Sequence, residues 1–201
     1  MDDLARLSDQ DPVAFRLRYL THERARAVVE TAASRFGWIG RSALPPGGGY
    51  GFAFAQYKNL EAYCAVAVEV SVERETGETT VRRAVAAVDT GEIVNPDGVR
   101  NQIEGGILQA ASWTLFEGVT FDRTRITSVD WAAYPIMRFD AVPDSVEVHL
   151  VARPGTPFLG VAEAAQGPTG AALGNAIRDA TGHRLRDLPF TSKRIKAAIG
   201  V

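Results

Sequence analysis

The stretch GVAEAAQGPTGAALGNAIRDATG, residues 160–182, decides how this chain folds. It begins as a loop of small residues around one carboxylate, Glu163, and then takes on a helical pattern. Pro168 suits the first turn of a helix, where its missing N–H has no partner to lose, and Gly182 suits a left-handed cap at the end. The apolar positions between them are mostly small: Ala171, Ala172, Leu173, Ala176, Ile177 and Ala180. We therefore predict a loop that delivers Glu163 to the front of a closely docked helix.

The composition is that of an ordinary globular chain. Of its 201 residues, 46% are hydrophobic and 23% are charged, and a net charge of -2 argues against nucleic acid or an anionic membrane as the main partner. No apolar run reaches membrane-spanning length, and the opening MDDLARLSDQ lacks a hydrophobic signal core. We therefore expect a cytoplasmic protein that does not itself span a membrane, or a periplasmic one if a partner exports it.

Cysteine and histidine usage limits the metal chemistry. The single cysteine, Cys64, excludes an internal disulfide and a cysteine-rich iron–sulfur site, and it is expected to be a small buried hydrophobe. The histidines are scattered without ligand spacing at His22, His149 and His183. We therefore predict no metal bound by protein ligands within this chain.

The N-terminal third divides into helix and loop. Residues 11–38 have a helical pattern that starts at Asp11-Pro12, with Thr21 as the expected N-cap of a second helix. Residues 42–51 contain LPPGGGYG, which is too rich in Pro and Gly for helix or strand and predicts a loop. We therefore place a boundary here, with a helical segment at 1–41 and an α+β domain at 42–201.

The rest of the chain predicts a sheet covered by helices. Two β-rich runs between Phe52 and Val88 flank a turn at 75–78 and form an antiparallel hairpin, and SVEVHLV at 145–151 alternates cleanly. Further short strands are expected at 119–121 and 128–131. The predicted fold class is α+β, with a mixed or antiparallel sheet and packed helices.

A helix from Pro96 to about Phe116, with Asn95 as its N-cap, is the second informative element. Gly105 and Gly106 in its middle cost about 1 kcal/mol each relative to alanine, which points to close approach of another backbone or of a cofactor. Gln102 lies one turn before them. Helix packing explains the two glycines nearly as well as cofactor contact does.

Three segments, read together, resemble one known family. They are DTGEIVNPDGVRNQIEGGILQA (89–110), YPIMRFDAVPDSVEVHLV (134–151) and GVAEAAQGPTGAALGNAIRDATGHRLRDLPFT (160–191). In this order they resemble the C-terminal part of the molybdopterin-binding large subunit of molybdenum hydroxylases, the xanthine dehydrogenase and aldehyde oxidase superfamily. The branch that looks most similar is the isoquinoline 1-oxidoreductase beta-subunit type. The resemblance implies the fold of that subunit's second molybdopterin-binding domain.

The resemblance also implies site roles. Glu163 occupies the place of the family's active-site base beside molybdenum, and Gln102 that of a glutamine that approaches the molybdopterin. Gly160 matches the first small residue of the family's acidic loop, and Gly105 and Gly106 would permit the cofactor's approach. The family's glycine before the acid is Ala162 here, and its usual proline after the acid is Ala164. Alanine at 162 requires a backbone conformation outside the left-handed region that glycine could adopt. Alanine at 164 removes the rigid support that a proline would give the carboxylate.

Two functions follow from these observations. The first is part of a molybdenum hydroxylase that oxidises an aldehyde or N-heteroaromatic substrate with water-derived oxygen, with Glu163 as the base. It implies a molybdenum–dithiolene molybdopterin, with the cytosine dinucleotide form as one option. It also implies two partners: the remaining large-subunit chain and a subunit that carries iron–sulfur clusters. The second is a non-catalytic, truncated cofactor-domain homologue that acts as an assembly or interaction subunit. A hydrolase lacks support, because the chain has neither G-x-S-x-G nor a P-loop.

Overall fold

A computed structural model, which describes residues 1–201, shows a four-stranded sheet with helices on both faces. The helices are α1 (Asp2–Leu7), α2 (Pro12–Tyr19), α3 (Glu23–Phe36), α4 (Pro96–Leu115), α5 (Gln166–Thr181) and α6 (Ser192–Ile199). The strands are β1 (Gly48–Gln56), β2 (Tyr63–Val72), β3 (Thr79–Asp89) and β4 (Ser145–Leu150). They lie in the order β1-β2-β3-β4, antiparallel except that β4 is parallel to β3. The sheet is therefore mixed, and the predicted α+β class is confirmed.

The strongest sequence patterns match the observed elements. The hairpin of β2 and β3, the strand β4 and the helix α4 all form where the sequence predicts them. Asn95 caps α4, because its side chain accepts a hydrogen bond from the Gly98 N–H at 3.0 Å. Helix α5 ends at Gly182, which has a left-handed φ of 79°.

Alternation along the strands divides the core between the two faces of the sheet. Alternate residues of β2 such as Tyr63, Ala65 and Ala67 join the core beneath α3, whereas Cys64 and Val66 join the core beneath α4 and α5. The Cys64 side chain is fully buried, and this burial raises the pKa of its thiol to about 12. Cys64 is thus the small buried hydrophobe that the sequence predicts.

The N-terminal helices differ from the prediction in detail. Asp11 caps α2 as expected, with its side chain accepting from the Val13 and Ala14 N–H groups. His22, rather than Thr21, precedes α3, and its side chain makes no capping hydrogen bond. The sequence does not predict helix α1, because its six residues are too few to show a periodic pattern. The boundary proposed between residues 41 and 42 falls in a segment without helix or strand.

The predicted loop at 42–51 is wrong for its second half, because β1 begins at Gly48. The reason is the packing of α5 directly on this strand. A Cβ on Gly51 would lie 1.9 Å from the Ala172 carbonyl oxygen, and one on Gly49 would lie 2.2 Å from that of Ala176. These glycines therefore mark close helix–strand contact rather than a turn, and local sequence cannot distinguish the two causes.

The two short strands predicted at 119–121 and 128–131 are also wrong. Only an isolated bridge between Phe121 and Ile126 forms there. Aspartate side chains direct the backbone into local turns instead: Asp122 accepts from the Thr124 and Arg125 N–H groups, and Asp130 accepts from two N–H groups that follow it. Such side-chain bonds compete with strand pairing.

Candidate active site

The acidic loop, residues 160–165, connects the segment after β4 to the first turn of α5. A turn closes it, because the Ala164 N–H donates to the Val161 carbonyl at 2.8 Å, and the Gln166 N–H donates to the Glu163 carbonyl at 3.1 Å. A proline at position 164 could not make the first of these bonds. Ala162 does not have a positive φ. The loop is therefore ordered with alanine at both positions where the resembling family has glycine and proline.

Helix α4 holds the acidic loop from one side. The Gln102 Nε2 donates to the Ala162 carbonyl oxygen at 2.8 Å. One turn further along α4, a Cβ on Gly106 would lie 3.3 Å from the Ala165 Cβ, and Gln109 then accepts from the side chain of Gln166 at 2.7 Å. Gly106 thus lets the helix lie close to the loop, and Gln102 fixes the carbonyl next to Glu163.

The β1–β2 connection, residues 57–62, holds the loop from the other side. The Tyr57 hydroxyl donates to Glu163 Oε2 at 2.6 Å, and Glu61 Oε2 accepts from the Gly160 N–H at 2.6 Å. Between these two anchors, Lys58 and Asn59 have positive φ values of 50° and 62°, which are uncommon for residues other than glycine. A tight reversal of the chain therefore aims both anchors at the acidic loop.

Sequence reasoning missed Tyr57 and Glu61. Their segment, YKNLE, joins two strands and looks like an ordinary connection, although it is longer than a tight hairpin turn. The contact pairs Tyr57 with a residue 106 positions away. Only the folded chain shows this pairing.

The charge environment of the Tyr57–Glu163 pair is set by the two residues themselves and by Lys58. The hydrogen bond to Glu163 raises the pKa of the Tyr57 phenol above its ordinary value, and partial desolvation and the charge of Glu163 add to the increase, while Lys58 opposes it. The Glu163 side chain is exposed, as is Ala162. This chain by itself therefore does not bury the carboxylate of Glu163.

The other residues singled out from the sequence lie around the same surface. Gly105 is exposed on α4, and a Cβ built on it would meet nothing within 4 Å. Gly160 is exposed, and a Cβ there would lie 3.1 Å from Glu61 Oε2. The structure thus places Gln102, Gly106 and Gly160 in or beside the contacts of the acidic loop, and it leaves Gly105 facing open space.

Neither a cluster of metal-ligating side chains nor a cavity indicates a second candidate active site. No group of three or more His, Cys, Asp or Glu side chains is arranged to hold a metal ion. A cavity of about 760 Å³ is lined by residues of α1, α2, β1, α5 and the segment after α5, and none of them belongs to the acidic loop. The hydrogen-bonded carboxylate of Glu163, rather than this cavity, supplies the chemistry of the candidate site. None of the helices is long and apolar enough to cross a membrane.

Comparisons with known proteins agree on one family. A family model described as a molybdopterin cofactor-binding domain matches residues 14–143. The chain is 38% identical, over 100% of its length, to a nicotinate dehydrogenase subunit of Pseudomonas putida. It is also 38% identical, over 94% of its length, to the beta subunit of isoquinoline 1-oxidoreductase from Brevundimonas diminuta. The match to the nicotinate dehydrogenase subunit includes the acidic loop, which lies beyond the range of the family model.

Solved structures give the same result for the fold. Quinoline 2-oxidoreductase from Pseudomonas putida 86 matches with a TM-score of 0.64 and 29% identity, over 69% of this chain and 19% of that chain. The chain spans only 18% of the nicotinate dehydrogenase subunit and 24% of the isoquinoline 1-oxidoreductase beta subunit. It thus corresponds to a fraction of these proteins.

Proposed function

This chain belongs to the family of molybdopterin cofactor-binding domains, and we propose that it is the part of a molybdenum hydroxylase that supplies the proton-accepting carboxylate, Glu163. The observation that supports this role most is the anchoring of the acidic loop by hydrogen bonds from both α4 and the β1–β2 connection. The proposed substrate is an aldehyde or an N-heteroaromatic compound. Similar proteins are a nicotinate dehydrogenase subunit, an isoquinoline 1-oxidoreductase subunit and an aldehyde oxidoreductase of Megalodesulfovibrio gigas.

The surface around Glu163 fits a bulky cofactor in two respects. The space beside Gly105 on α4 is open, and Ala162, the residue before Glu163, is exposed, so small residues leave room on α4 and in the acidic loop. The Gln102 amide bonds the loop through Nε2, and its Oε1 has no partner within the chain. Gln102, Gly105, Gly160 and Ala162 would then contact the cofactor, while Gly106 would bring α4 close enough to do so. When bound, molybdopterin would supply the redox centre for oxidation with water-derived oxygen.

The hydrogen bond from Tyr57 gives the two carboxylate oxygens of Glu163 different roles. Oε2 accepts from the Tyr57 hydroxyl and fixes the direction of the carboxylate, so Oε1 remains to accept a proton. The carboxylate is exposed in this chain, so we infer that neighbouring polypeptide excludes water around it in the assembled enzyme. Tyr57 is a positioning residue in this scheme, since it acts through Glu163.

The proposed assembly contains two further protein parts. The chain spans 18% of the nicotinate dehydrogenase subunit and 24% of the isoquinoline 1-oxidoreductase beta subunit, so the remaining molybdopterin-binding polypeptide would complete the cofactor pocket. Iron–sulfur clusters would lie on another subunit, because Cys64 alone cannot ligate one. We propose a cytoplasmic location, or a periplasmic one with an exported partner, and the cytosine dinucleotide form of the cofactor as one option.

The test is the Glu163→Gln variant in the assembled enzyme. Loss of the proton acceptor should lower turnover by about 10²–10⁴-fold, while molybdenum content stays at the level of the unchanged enzyme. Glu104→Gln makes the same chemical change on α4, outside the acidic loop, and should leave turnover near its original value. Turnover of Glu163→Gln close to that of Glu104→Gln would remove the catalytic role and support the non-catalytic alternative.

A further inference from the structure

The edge strand β1 has backbone groups that alternate between β2 and the outside of the sheet. The Tyr57 N–H donates to the Ala62 carbonyl at one end of the pair, and the Gly47 carbonyl accepts from the Val72 N–H at the other. With the observed register, these two bonds assign the odd-numbered residues of β1 to pairing with β2. The N–H and C=O groups of Tyr50, and of every second residue after it, therefore point away from β2.

Side chains cap the first half of this outer edge. Asp179 accepts from the Tyr50 N–H at 2.9 Å, and the Phe52 carbonyl accepts from Asn175 at 3.0 Å and from Arg16 at 3.1 Å. Arg16 is itself held by α1 and α2 contacts, so these caps are part of the folded core. An edge whose outward backbone groups already bond to side chains cannot pair with another strand.

The second half of the edge is open. The outward N–H and C=O groups of Phe54 and Gln56 have no hydrogen-bond partner in the chain. Phe54 lines the cavity of about 760 Å³, whose walls combine the large side chains of Tyr19 and Leu188 with charged side chains such as Arg184. Tyr19 and Leu188 are 59% and 55% exposed. Backbone donors and acceptors at regular spacing beside an open groove are what an added β-strand requires.

We propose that the open edge of β1 at Phe54 and Gln56 binds an extended segment of the remaining molybdopterin-binding polypeptide, which adds a strand to the sheet. The occupant follows from two observations. Unpaired N–H and C=O groups at a strand edge select an extended backbone, and this chain accounts for only 18% of the nicotinate dehydrogenase subunit, so most of such a polypeptide lies outside it. The proposal rests on the assembly proposed above, but it uses backbone geometry and does not depend on the catalytic role of Glu163.

Amide hydrogen exchange at single-residue resolution tests this docking. The chain alone is compared with the assembled protein purified from the native host through a tag on this chain. We expect the Phe54 and Gln56 amides to exchange about 100-fold more slowly in the assembly. The Ala53 and Ala55 amides, which bond to β2, should be protected in both states and serve as internal controls. Equal exchange of Phe54 and Gln56 in the two states would overturn the proposal, as would protection that arises only in a dimer of this chain.

A pair of variants tests the hydrogen bond itself. Phe54→Pro removes the outward N–H without affecting the pairing with β2, and proline is tolerated on edge strands for this reason. Phe54→Val shortens the side chain to a similar degree and keeps the N–H. We expect at least a tenfold loss of the co-purifying polypeptide with Phe54→Pro and little loss with Phe54→Val. Equal recovery of the partner with both variants would contradict strand addition.

Discussion

The two faces of the sheet are built from different kinds of side chain. Beneath α3, large aromatic residues interlock: the Trp38 ring lies 5.5 Å from the Phe52 ring and 5.9 Å from the Phe36 ring. Beneath α4 and α5 the buried core is aliphatic except for Cys64 and Phe190 and includes many alanines, and the backbone of α5 rests on Gly49 and Gly51. Large side chains hold helices at a distance and stabilise by burial, whereas small ones let backbones meet and fix their relative position.

This difference matters for the site, because Glu163 belongs to the close-packed face. Helix α5 begins directly after the acidic loop, and α4 contacts that loop through Gln102 and Gly106. Any change in the spacing of α5 from β1 therefore moves the loop. We infer that the α3 face contributes mainly to the stability of the fold and that the α4–α5 face sets the position of the carboxylate.

The largest expected effect is on the α3 face. Trp38 is buried and donates from Nε1 to Asp11 at 2.8 Å, so Trp38→Ala should lower the free energy of unfolding by about 3–5 kcal/mol. Urea unfolding measures this change. The neighbouring Ile39 is 94% exposed, and Ile39→Ala should stay within about 0.5 kcal/mol. A cost for Trp38→Ala no greater than that of the control would remove the proposed division between the faces.

The next effect concerns Asp89, whose buried carboxylate ties the end of β3 to Arg24 of α3 and to Arg153. Burial alone would raise the pKa of Asp89, but hydrogen bonds from Arg24, the Gly91 N–H and Arg153, together with the charge of Arg24, outweigh it and hold the pKa below its ordinary value. A depressed pKa stabilises the fold above the unfolded value and loses this effect as the pH falls through the folded value.

The stability of the unchanged chain should therefore decrease below about pH 4. Asp89→Asn should cost about 3 kcal/mol at neutral pH, because it removes a buried charge partner from two partly buried guanidinium groups, and it should flatten the slope of stability against pH in acid. Urea unfolding across the acidic pH range measures both. An unchanged acid slope in the variant would show that other carboxylates cause the loss.

A smaller effect is expected for glycines of the close-packed face. Gly51→Ala forces a Cβ against the Ala172 carbonyl and should cost about 1–3 kcal/mol while shifting α5. Gly105→Ala is the matched control: it meets nothing within 4 Å and should stabilise α4 by up to about 1 kcal/mol. In the assembled enzyme, the same Gly105→Ala change should lower molybdenum content, since its methyl group would occupy the proposed cofactor surface. Unchanged molybdenum content would remove Gly105 from that surface.

The smallest effect is on the titration of one phenol. The hydrogen bond from Tyr57 to Glu163 raises the pKa of Tyr57, with smaller contributions from desolvation and charge, so Glu163→Gln should return this pKa toward its ordinary value. Ultraviolet titration of the phenolate, taken as the difference from Tyr57→Phe, isolates this group from the other tyrosines. Gly51→Ala should shift the same pKa if it displaces the loop, and Trp38→Ala should not. Identical titrations in all variants would contradict the observed contact.

The sequence predicts the parts of the fold that local physics determines. Helix α5 can be predicted because Pro168 and Gly182 mark its ends, and β4 can be predicted because its polar and apolar residues alternate. Gly49 and Gly51 are misread as loop residues because glycine favours both turns and close contacts, and only the position of α5 identifies the second cause.

The candidate site is likewise predicted in part. Family motifs indicate Glu163 and Gln102, and the structure brings both to one loop. Tyr57 and Glu61 carry no motif, and their contacts span 106 and 99 residues, so chain folding alone brings them there. The exposure of Glu163 could not be predicted either, because its apolar neighbours in sequence, such as Ala164, turn into the core and leave it at the surface.

The measurement that tests the central claim most directly is the molybdenum content of this chain as it occurs in its native host. The tagged chain is purified with whatever co-purifies, and molybdenum is determined per chain. The account predicts about one molybdenum atom per chain together with a larger molybdopterin-binding polypeptide. A chain that is recovered free of molybdenum and without such a partner would contradict the proposed catalytic role of Glu163 and leave a detached cofactor-domain homologue.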